Sequence, residues 1–439
     1  MEDLYALNLL MARIQMGYTL AFHIIFASLG VGFPVLLVIA EGLHLKTGKK
    51  DYLILAKRWS KVFSVLFGVG AVSGTVLSFE LGLLWPKFME FFGPVVGLAF
   101  SLEGFAFFVE AIFLGIYLYG WDKLPKKIHW LCGFPIALSG ALSAWFVTTV
   151  NSWMNTPQGF SMHQGKVTSI EPLKVIFNPG TWTQTTHMLL SCYMVTGFTV
   201  ASYYAWNFLK KKKHINYFKN AFELSLLMAI LITPLQIFVG DFAARLVAKT
   251  QPVKLAAMEG QFETVYGAPL RIGGLPNEKK QTTPFAIEIQ KGLSLLAYHN
   301  PNAKVLGLKA FPKSEWPPVL PVHLFFQVMV GLGIYLLMIS LYAGYHLYQK
   351  KEFPKNQPFL WGVLFSGAAA LLAMEAGWMV TELGRQPWVV HQVMKTKDAV
   401  TLVQETPWSL TIVFLIYTAL SMGLVFILLK LSKIPLESK

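Results

Sequence analysis

The stretch FLWGVLFSGAAALLAMEAGWMVTELGRQPW, residues 359–388, is an apolar run that ends in a charged, proline-containing segment. About 20 mainly apolar residues are enough for a helix to cross the hydrocarbon core of a bilayer. This run nevertheless carries Glu382 near its end, and Arg385 follows three residues later. Gly384 and Pro387 predict that the helix ends at this point. The stretch therefore predicts a membrane helix that holds a carboxylate near one surface of the bilayer.

The composition of the whole chain indicates the same class. Of 439 residues, 54% are hydrophobic and only 14% are charged, which is too little charge for a soluble protein of this length. The two cysteines, Cys132 and Cys192, both lie in apolar runs and form no C-x-x-C pair. This pattern excludes a disulfide framework, a thiolate zinc site and covalent c-type haem attachment. The acidic N-terminus lacks a basic region and a cleavage site, so we expect no removable signal peptide.

Nine apolar runs are long enough to span a membrane, which predicts an all-α integral membrane protein with about nine transmembrane helices. They cover residues 15–41, 57–81, 93–119, 128–151, 187–209, 221–246, 320–348, 359–384 and 408–430.

Lysine and arginine are concentrated on one side of these runs. The basic residues after the first, third, fifth and seventh runs and in the C-terminal tail are Lys46, Lys49, Lys50, Lys57, Arg58, Lys61, Lys123, Lys126, Lys127, Lys210 to Lys213, Lys219, Lys350, Lys351, Lys355, Lys430, Lys433 and Lys439. By the positive-inside rule, the N-terminus is predicted to lie outside and the C-terminus in the cytoplasm. The net charge of +14 is thus mostly a signal of topology and of attraction to anionic lipid, and no nucleic-acid partner is predicted.

One connection is much longer than the others. It covers residues 247–319, on the predicted outer side, and contains no evident repeat. A loop of this length is usually functional or disordered. The chain is therefore predicted to consist of residues 1–246 with six helices, the outer loop 247–319, and residues 320–439 with three helices.

Ionisable side chains within a membrane are costly, so each marks a candidate functional site. The predicted helix directions place four potential metal ligands from four helices at one level, in the outer third of the membrane. These are His23, His187 at the start of its run, Met329 and Glu382. Glu103 and Glu110 are seven residues apart and lie on one face of the third helix, with Glu103 about 10 Å further out.

Each of these residues also has an ordinary explanation. A lone histidine at a helix end usually lies at a surface, a methionine usually packs, and Glu382 with Arg385 could form an interfacial ion pair. Their common depth favours a shared site, and His with Met is a known axial pair for haem iron, whereas a single His or carboxylate leaves the iron open to a small ligand. Composition does not choose between haem binding and a proton-coupled transporter built from the same acids.

Six segments resemble subunit I of the cytochrome bd quinol oxidases, and the resemblance covers nearly the whole chain. They are RIQMGYTLAFHIIFASLG (13–30), EGFAFFVEAIFLGIYLYGW (103–121), NSWMNTPQGF (151–160), QPVKLAAMEG (251–260), QVMVGLGIYL (327–336) and WMVTELGRQPW (378–388). The resemblance implies nine helices with the N-terminus outside, in a bacterial cell membrane. It also implies that residues 247–319 are a quinol-oxidising Q-loop of the short type.

The resemblance implies three haems. His187 and Met329 match the axial ligands of a low-spin haem b. His23 and Glu382 match the ligands of two high-spin haems, a haem b and either a haem d or a further haem b. Which residue holds which high-spin haem stays open. The family often has an arginine where this chain has Gln327, which leaves the potential of the low-spin haem unpredicted.

Other residues match the family's proton pathway and haem surroundings. Glu103 and Glu110 match acids that link the high-spin haems to the cytoplasm. Trp378 and Arg385 match the surroundings of Glu382, where the arginine would offset the buried carboxylate.

Lys254 and Glu259 match residues tied to quinol oxidation. The sequence KLAAMEG favours a helix, which would place these two side chains roughly 140° apart. Glu259 is expected to be an exposed carboxylate that passes quinol protons to water. The alternative is that both are surface charges of a solvated loop.

The function implied is that of a quinol:dioxygen oxidoreductase subunit. Quinol would be oxidised at the outer side, and O2 reduced to water with cytoplasmic protons, which would generate a membrane potential. A subunit II of similar size, and any single-helix accessory subunit, follow from the resemblance alone. The alternative is a proton-coupled transporter or channel without haem, but it gives no reason for His23, His187 and Met329 to share a depth.

Overall fold

The computed structural model describes residues 2–164, 166–210, 215–401 and 406–433. The helices within these ranges are α1 (Glu2–Thr47), α2 (Lys50–Leu84), α3 (Pro86–Tyr119), α4 (Lys126–Asn155), α5 (Pro172–Ile176), α6 (Thr181–Leu209), α7 (Ile215–Thr250), α8 (Pro252–Met258), α9 (Gly292–Tyr298), α10 (Val319–Lys350), α11 (Gln357–Leu383), α12 (Thr396–Ala399) and α13 (Thr406–Lys433). Leu308–Ala310 and Lys313–Glu315 form 3-10 turns. Helices α5, α8, α9 and α12 are short and lie in the connections between the long ones.

The connections also contain short strands that pair as two-stranded antiparallel ribbons. The strands in the described ranges are β1 (Phe160–His163), β2 (Lys166–Ile170), β3 (Val265–Tyr266), β4 (Leu270–Ile272), β5 (Ile287–Ile289), β6 (Lys304–Val305), β7 (Trp388–Val390) and β8 (Met394–Lys395). The pairs are β1 with β2, β3 with β6, β4 with β5, and β7 with β8.

The all-α fold predicted from the apolar runs is confirmed, since each run lies within one long helix, except that the run 359–384 extends one residue beyond the end of α11. Among the described residues, eight helices are long and apolar enough to cross a membrane by length and composition, and the long helix α6 is not one of them. Its first turns, TWTQTT at 181–186, are polar. The basic residues Lys211 to Lys213 and Lys439, used above to predict the topology, lie outside the described residues.

Helix α6 packs against α1, α7 and α11. A Cβ added at Gly197 of α6 would lie 2.8 Å from the backbone nitrogen of Ala229 in α7. One added at Gly367 of α11 would lie 2.7 Å from Cβ of Ser202 in α6. Small residues at such crossings allow close backbone approach, which drives helix association in lipid, where apolar helices gain nothing from leaving water. The polar residues of α6 therefore belong to a central, packed helix.

The ribbons lie at one end of the bundle, called the ribbon end below. There the Gln251 side chain donates to the carbonyl of Asn155 at the end of α4 (3.0 Å), and the His391 N–H donates to the carbonyl of Met154 (2.9 Å). Consecutive long helices are joined at alternate ends, so the connections rich in lysine lie at the opposite end, called the lysine end.

The Q-loop between α7 and α10 folds as a cap on the ribbon end. Its buried apolar residues Met258, Phe262 and Leu308 pack with Val319 and Val322 at the start of α10. This packing holds α8 against α10, and Gln327 of α10 donates to the carbonyl of Arg271 in β4. The Q-loop is therefore part of the folded structure and not a disordered connection.

Candidate functional site

His23 lies in α1, and one of its ring nitrogens is held by α2. Its Nδ1 is 3.0 Å from Oγ of Ser73, whose hydroxyl donates to the carbonyl of Val69 (2.9 Å) or of Gly70 (3.0 Å). Because the hydroxyl proton of Ser73 is used in this way, its oxygen accepts from Nδ1–H of His23. The lone pair is then on Nε2, which is the arrangement that a metal-binding histidine needs.

His187 lies six residues into α6. The prediction that it starts its helix is wrong, because the polar first turns of α6 lower the hydropathy there without ending the helix. Its Nε2 is 3.2 Å from Nε2 of Gln236 in α7. Its Nδ1 is buried and has no hydrogen-bond partner among the described residues. Because an amide nitrogen only donates, Nε2 of His187 accepts from Gln236 and is the unprotonated ring nitrogen, the one through which a ligand would bind.

Three of the candidate ligands pack against a glycine of a neighbouring helix. The distances from an added glycine Cβ to the nearest ligand atom are 3.1 Å from Gly74 to Cε1 of His23, 3.2 Å from Gly240 to Cε1 of His187, and 3.1 Å from Gly377 to Sδ of Met329. A side chain at any of these positions would force the ligand to move. The absence of a side chain at each glycine therefore makes room for the ligand side chain at the contact between the two helices.

Glu382 lies in the last turn of α11, and donors occupy both of its carboxylate oxygens. Asn151 Nδ2 donates to Oε1 (2.5 Å), and Arg385 Nη2 donates to Oε2 (2.6 Å). Helix α11 ends at Leu383 and is followed by Gly384, which confirms the predicted helix end. Arg385 is only 3% exposed, so the pair is not the exposed interfacial ion pair considered above. The partly exposed carboxylate of Glu382 compensates the buried charge of Arg385.

Several buried polar atoms on this part of α11 and just after it have no hydrogen-bond partner in the described part of the chain. They are Nε and Nη1 of Arg385, Nε1 of Trp378 and Oε1 of Glu375. Trp378 and Glu375 lie one and two turns before Glu382, on the same face of the helix. Buried donors rarely remain unpaired in a native protein. These atoms mark a place where a further polar group, anionic in the case of Arg385, would complete the hydrogen bonding.

The donor set fits haem better than a bare metal ion. Within the ranges that the structure covers, no three His, Cys, Asp or Glu side chains form a metal-binding group. The candidate ligands stand singly on separate helices, and three of them adjoin a glycine. A haem supplies four nitrogen donors of its own, so one or two protein ligands are enough.

Glu103 and Glu110 lie on the face of α3 that is turned toward α4, as their spacing predicted. Ser143 Oγ in α4 donates to Oε1 of Glu103 (3.1 Å). Glu110 is 5% exposed, and a Cβ added at Gly140 of α4 would lie 3.2–3.3 Å from its carboxyl atoms. The two acids thus line the contact between α3 and α4.

Lys254 is buried in α8, so the interpretation as a surface charge is wrong for this residue. Its Nζ donates to Oδ1 of Asn155 (3.3 Å) and to the carbonyl of Thr381 (3.2 Å). Burial and, less strongly, the charge of Arg385 lower the pKa of Lys254 to about 7, although Glu382 acts to raise it. Lys254 therefore contacts the end of the helix that carries Glu382.

Glu259 directly follows α8, which confirms the helix predicted from KLAAMEG, and it is only 2% exposed. The prediction of an exposed carboxylate is wrong, because the rest of the Q-loop packs over it. Burial raises the pKa of Glu259 to about 7, while a backbone hydrogen bond from Arg271 and the charge of Arg271 act to lower it. Gly260 has φ +58°, and a Cβ there would lie 2.8 Å from Oγ1 of Thr283. Glycine thus permits the turn after Glu259.

Among the acids inside the apolar runs that sequence reasoning missed are Glu41, Glu80 and Glu375. Two of them have partners: His129 and Tyr117 contact Glu41, and Gln15 and Thr19 donate to Glu80. A search for every ionisable residue within the runs would have found all three.

His391, between β7 and β8, was also missed. Burial, followed by the charges of Lys254 and Arg385, lowers the pKa of His391 to about 4. It lies in a polar segment, and no pattern in the sequence distinguishes it from a surface histidine.

Comparison with known proteins identifies the family. The family model described as cytochrome bd terminal oxidase subunit I matches residues 11–435. The cytochrome bd ubiquinol oxidase subunit 1 of Bacillus subtilis (strain 168) is 32% identical over 406 residues, which cover 90% of this chain and 86% of that protein. The cytochrome bd-II ubiquinol oxidase subunit 1 of Escherichia coli (strain K12) is 26% identical over 495 residues, 97% and 96% of the two chains.

A solved structure shows the same fold. The bd oxidase from Geobacillus thermodenitrificans matches with a TM-score of 0.91 and 38% sequence identity, over 97% of this chain and 98% of that chain. These matches confirm the resemblance seen in the sequence, and the chain belongs to the cytochrome bd terminal oxidase subunit I family.

Proposed function

We propose that this chain holds three haems, takes electrons from quinol at the ribbon end and delivers them to dioxygen with protons from the lysine end. As a member of its family it is a quinol oxidase subunit of a bacterial membrane respiratory chain, and it forms a complex with subunit II. One observation carries the proposal. Candidate iron ligands stand singly on separate helices, and three of them pack against a glycine of a neighbouring helix, which leaves room for the ligand side chain.

His187 and Met329 would hold a low-spin haem b. His23 and Glu382 would hold the two high-spin haems, a haem b and either a haem d or a second haem b. When bound, these groups supply reversible electron transfer and a place for dioxygen to bind. The unpartnered donors Nε and Nη1 of Arg385 suit an anionic side group of such a cofactor, while its Nη2 offsets the charge of Glu382.

Residues of neighbouring helices orient the ligands. Ser73 accepts from Nδ1 of His23 and keeps Nε2 unprotonated, and Gln236 contacts Nε2 of His187. Partners of this kind fix the tautomer and the ring orientation of a ligand, and their loss commonly weakens binding 10- to 100-fold. Trp378 would contribute its unpartnered N–H near Glu382.

The Q-loop would bind quinol, with Glu259 as the acceptor of a hydroxyl proton. A general base works best when its pKa lies near the ambient pH, and burial raises the pKa of Glu259 to about 7. Lys254 would act differently from Glu259. Since it donates to Thr381 and Asn155, it would hold the end of α11 and its charge would offset that of Glu382.

Glu110 and Glu103 would pass protons toward the ribbon end along the contact between α3 and α4. In this orientation the lysine end and the C-terminus face the cytoplasm, as the positive-inside rule requires, and the N-terminus lies outside. Protons from quinol would leave outside while those for water enter from inside. Turnover would therefore generate a membrane potential.

The same proposal divides the chain into residues 1–246, the Q-loop 247–319 and residues 320–439. Large apolar side chains remain exposed on α3, among them Phe105 (71%) and Phe108 (65%). Such a surface suits lipid or a helix of subunit II. A single-helix accessory subunit would need a further apolar surface of the same kind.

The replacement of Met329 by leucine tests the haem assignment. Met329→Leu keeps size and apolarity but removes the sulfur, so the low-spin haem b signal in the reduced visible spectrum should shift or vanish. Met338→Leu is the control, because Met338 lies on the same helix and is 58% exposed. An unchanged spectrum of a folded Met329→Leu variant would exclude Met329 as a ligand. A purified wild-type protein without haem absorbance would favour the transporter alternative, and a chlorin band in the red would identify haem d.

A further inference from the structure

A loop arginine that the sequence did not single out lies next to Glu259. Arg271 is in β4, and its side chain is 14% exposed. Its Nε donates to Oε1 of Glu288 in β5 (3.0 Å), the residue directly opposite in the ribbon. Its Nη1 donates to Oε1 of Gln261, two residues after Glu259. The guanidinium is therefore held on two sides, by the ribbon and by the segment that follows Glu259.

The Glu259 carboxylate depends on Arg271 for compensation. Its Oε2 is buried and has no hydrogen-bond partner among the residues described. The groups that favour its ionised form are the backbone N–H and the guanidinium of Arg271. A nearby opposite charge lowers the pKa of a carboxyl group, so Arg271 works against the effect of burial on Glu259.

The position of Arg271 is fixed from α10. Gln327 Nε2 donates to the carbonyl of Arg271 (2.9 Å), and its Oε1 accepts from the N–H of Gly273 (3.0 Å). The amide of Gln327 thus pairs with the edge of β4 as a neighbouring strand would. Gln327 lies two residues before Met329, so the same helix carries the brace and the proposed haem ligand.

We propose that Arg271 is a positioning residue for quinol oxidation, which holds the segment after Glu259 through Gln261 and favours the ionised form of that carboxylate, and that Gln327 fixes Arg271 to the helix of Met329. This inference rests on the proposed role of Glu259 as the proton acceptor. Without the guanidinium, burial would leave Glu259 protonated at neutral pH. A protonated carboxyl cannot accept a quinol proton.

Other charged groups near this carboxylate belong to several elements. His323 of α10 contacts the carbonyl of Met258 (2.8 Å) through Nδ1 and that of Gly273 (3.0 Å) through Nε2. Glu288 faces Arg271 from β5. Lys254, on α8 itself, is directed at Asn155 and Thr381. Glu259→Gln retains all of these groups, so it separates the titration of Glu259 from theirs.

The test measures quinol-driven oxygen consumption by the purified oxidase from pH 5 to 9, with a short-chain quinol as the substrate. Wild type should lose activity at acidic pH as Glu259 becomes protonated. Arg271→Met, which keeps the length of the side chain and removes its charge, should move the midpoint of this loss upward by about 1–3 pH units. Arg271→Lys retains the charge and should move it less. Lys309→Met is the matched control, because Lys309 pairs with Glu263 at the surface of the same loop.

A second variant, Glu288→Gln, tests whether the midpoint of the acidic loss of activity can also be moved to lower pH. Glu288 is 41% exposed, so Glu288→Gln should fold, and it removes the negative charge that partly neutralises Arg271. The midpoint should then move to lower pH. Haem spectra and oxygen consumption with a donor that bypasses the Q-loop should be unchanged in all of these variants.

The outcomes separate this inference from the proposed function. If Glu259→Gln lowers the activity and removes its decline at acidic pH, and Arg271→Met and Glu288→Gln move the wild-type midpoint in opposite directions, both the inference and the proposed role of Glu259 stand. If Glu259→Gln has that effect and neither other variant moves the midpoint, Arg271 has no such role and the role of Glu259 survives. If Glu259→Gln leaves activity and its pH dependence unchanged, the proposed role of Glu259 is wrong, and the inference falls with it.

Discussion

Replacement of Gly377 by alanine is expected to disturb the proposed low-spin haem site without removing either of its proposed ligands. The new Cβ would lie 3.1 Å from Sδ of Met329, closer than ordinary van der Waals contact, so the sulfur would have to move by a few tenths of an ångström. A free methionine side chain would adapt easily, but one that binds iron has a fixed sulfur position. Overpacking of this kind costs about 1–3 kcal/mol. That corresponds to a weakening of roughly 5- to 150-fold in the binding equilibrium of the sulfur.

Visible spectra of the purified, reduced protein would measure this effect, before and after the addition of carbon monoxide. In Gly377→Ala, part of the low-spin haem b should lose its sulfur ligand and bind carbon monoxide, while the high-spin signals stay unchanged. Gly331→Ala is the control, because nothing lies within 4 Å of a Cβ at Gly331 on the helix of Met329. If both variants show the wild-type spectrum with and without carbon monoxide, Gly377 does not keep space for the iron-bound sulfur of Met329.

Two further predictions concern the acids. Glu110→Gln should preserve the haem spectrum and slow oxygen reduction at least severalfold, since an amide cannot take up and release a proton. The control is Glu90→Gln, at an exposed acid of the same helix, which should reduce oxygen at the normal rate. Oxygen reduction by Glu110→Gln at the wild-type rate would require another proton path. Glu259 should make the free energy of unfolding depend on pH. Its pKa in the folded state is about 7, above the ordinary 4.5, so between these pH values the folded state binds a proton that the unfolded state has lost. The free energy of unfolding should therefore fall by roughly 3 kcal/mol as the pH rises from 4.5 through 7. Thermal unfolding of wild type and Glu259→Gln at pH 5 and pH 8 measures this, and equal pH dependence of the two proteins would contradict it.

The sequence by itself determined the class of the fold and the candidate ligands. Each apolar run is long enough to require a helix in a membrane, because unpaired backbone groups are too costly in lipid. The end of α11 could be predicted from Gly384, since glycine after an apolar run is a local signal. The ligand candidates were found because ionisable residues at such depth are rare, and the same rule applied more widely would have found Glu41 and Glu80.

Only the tertiary structure determined the surroundings of these residues. Glu259 was expected to be exposed because it lies in a polar loop, yet it is buried where later parts of the same loop, among them Arg271 and Thr283, meet the end of α8, and no local pattern contains those contacts. The sequence did not predict that Gln327 hydrogen-bonds to the backbone of β4 and the residue after it, since its two partners lie more than 50 residues away in the chain. Apolar length and helix ends depend on residues close in sequence, so they can be read locally. Burial of a charge and the partner of a polar side chain depend on segments that meet only after folding, so neither can be predicted from residues that are close in sequence.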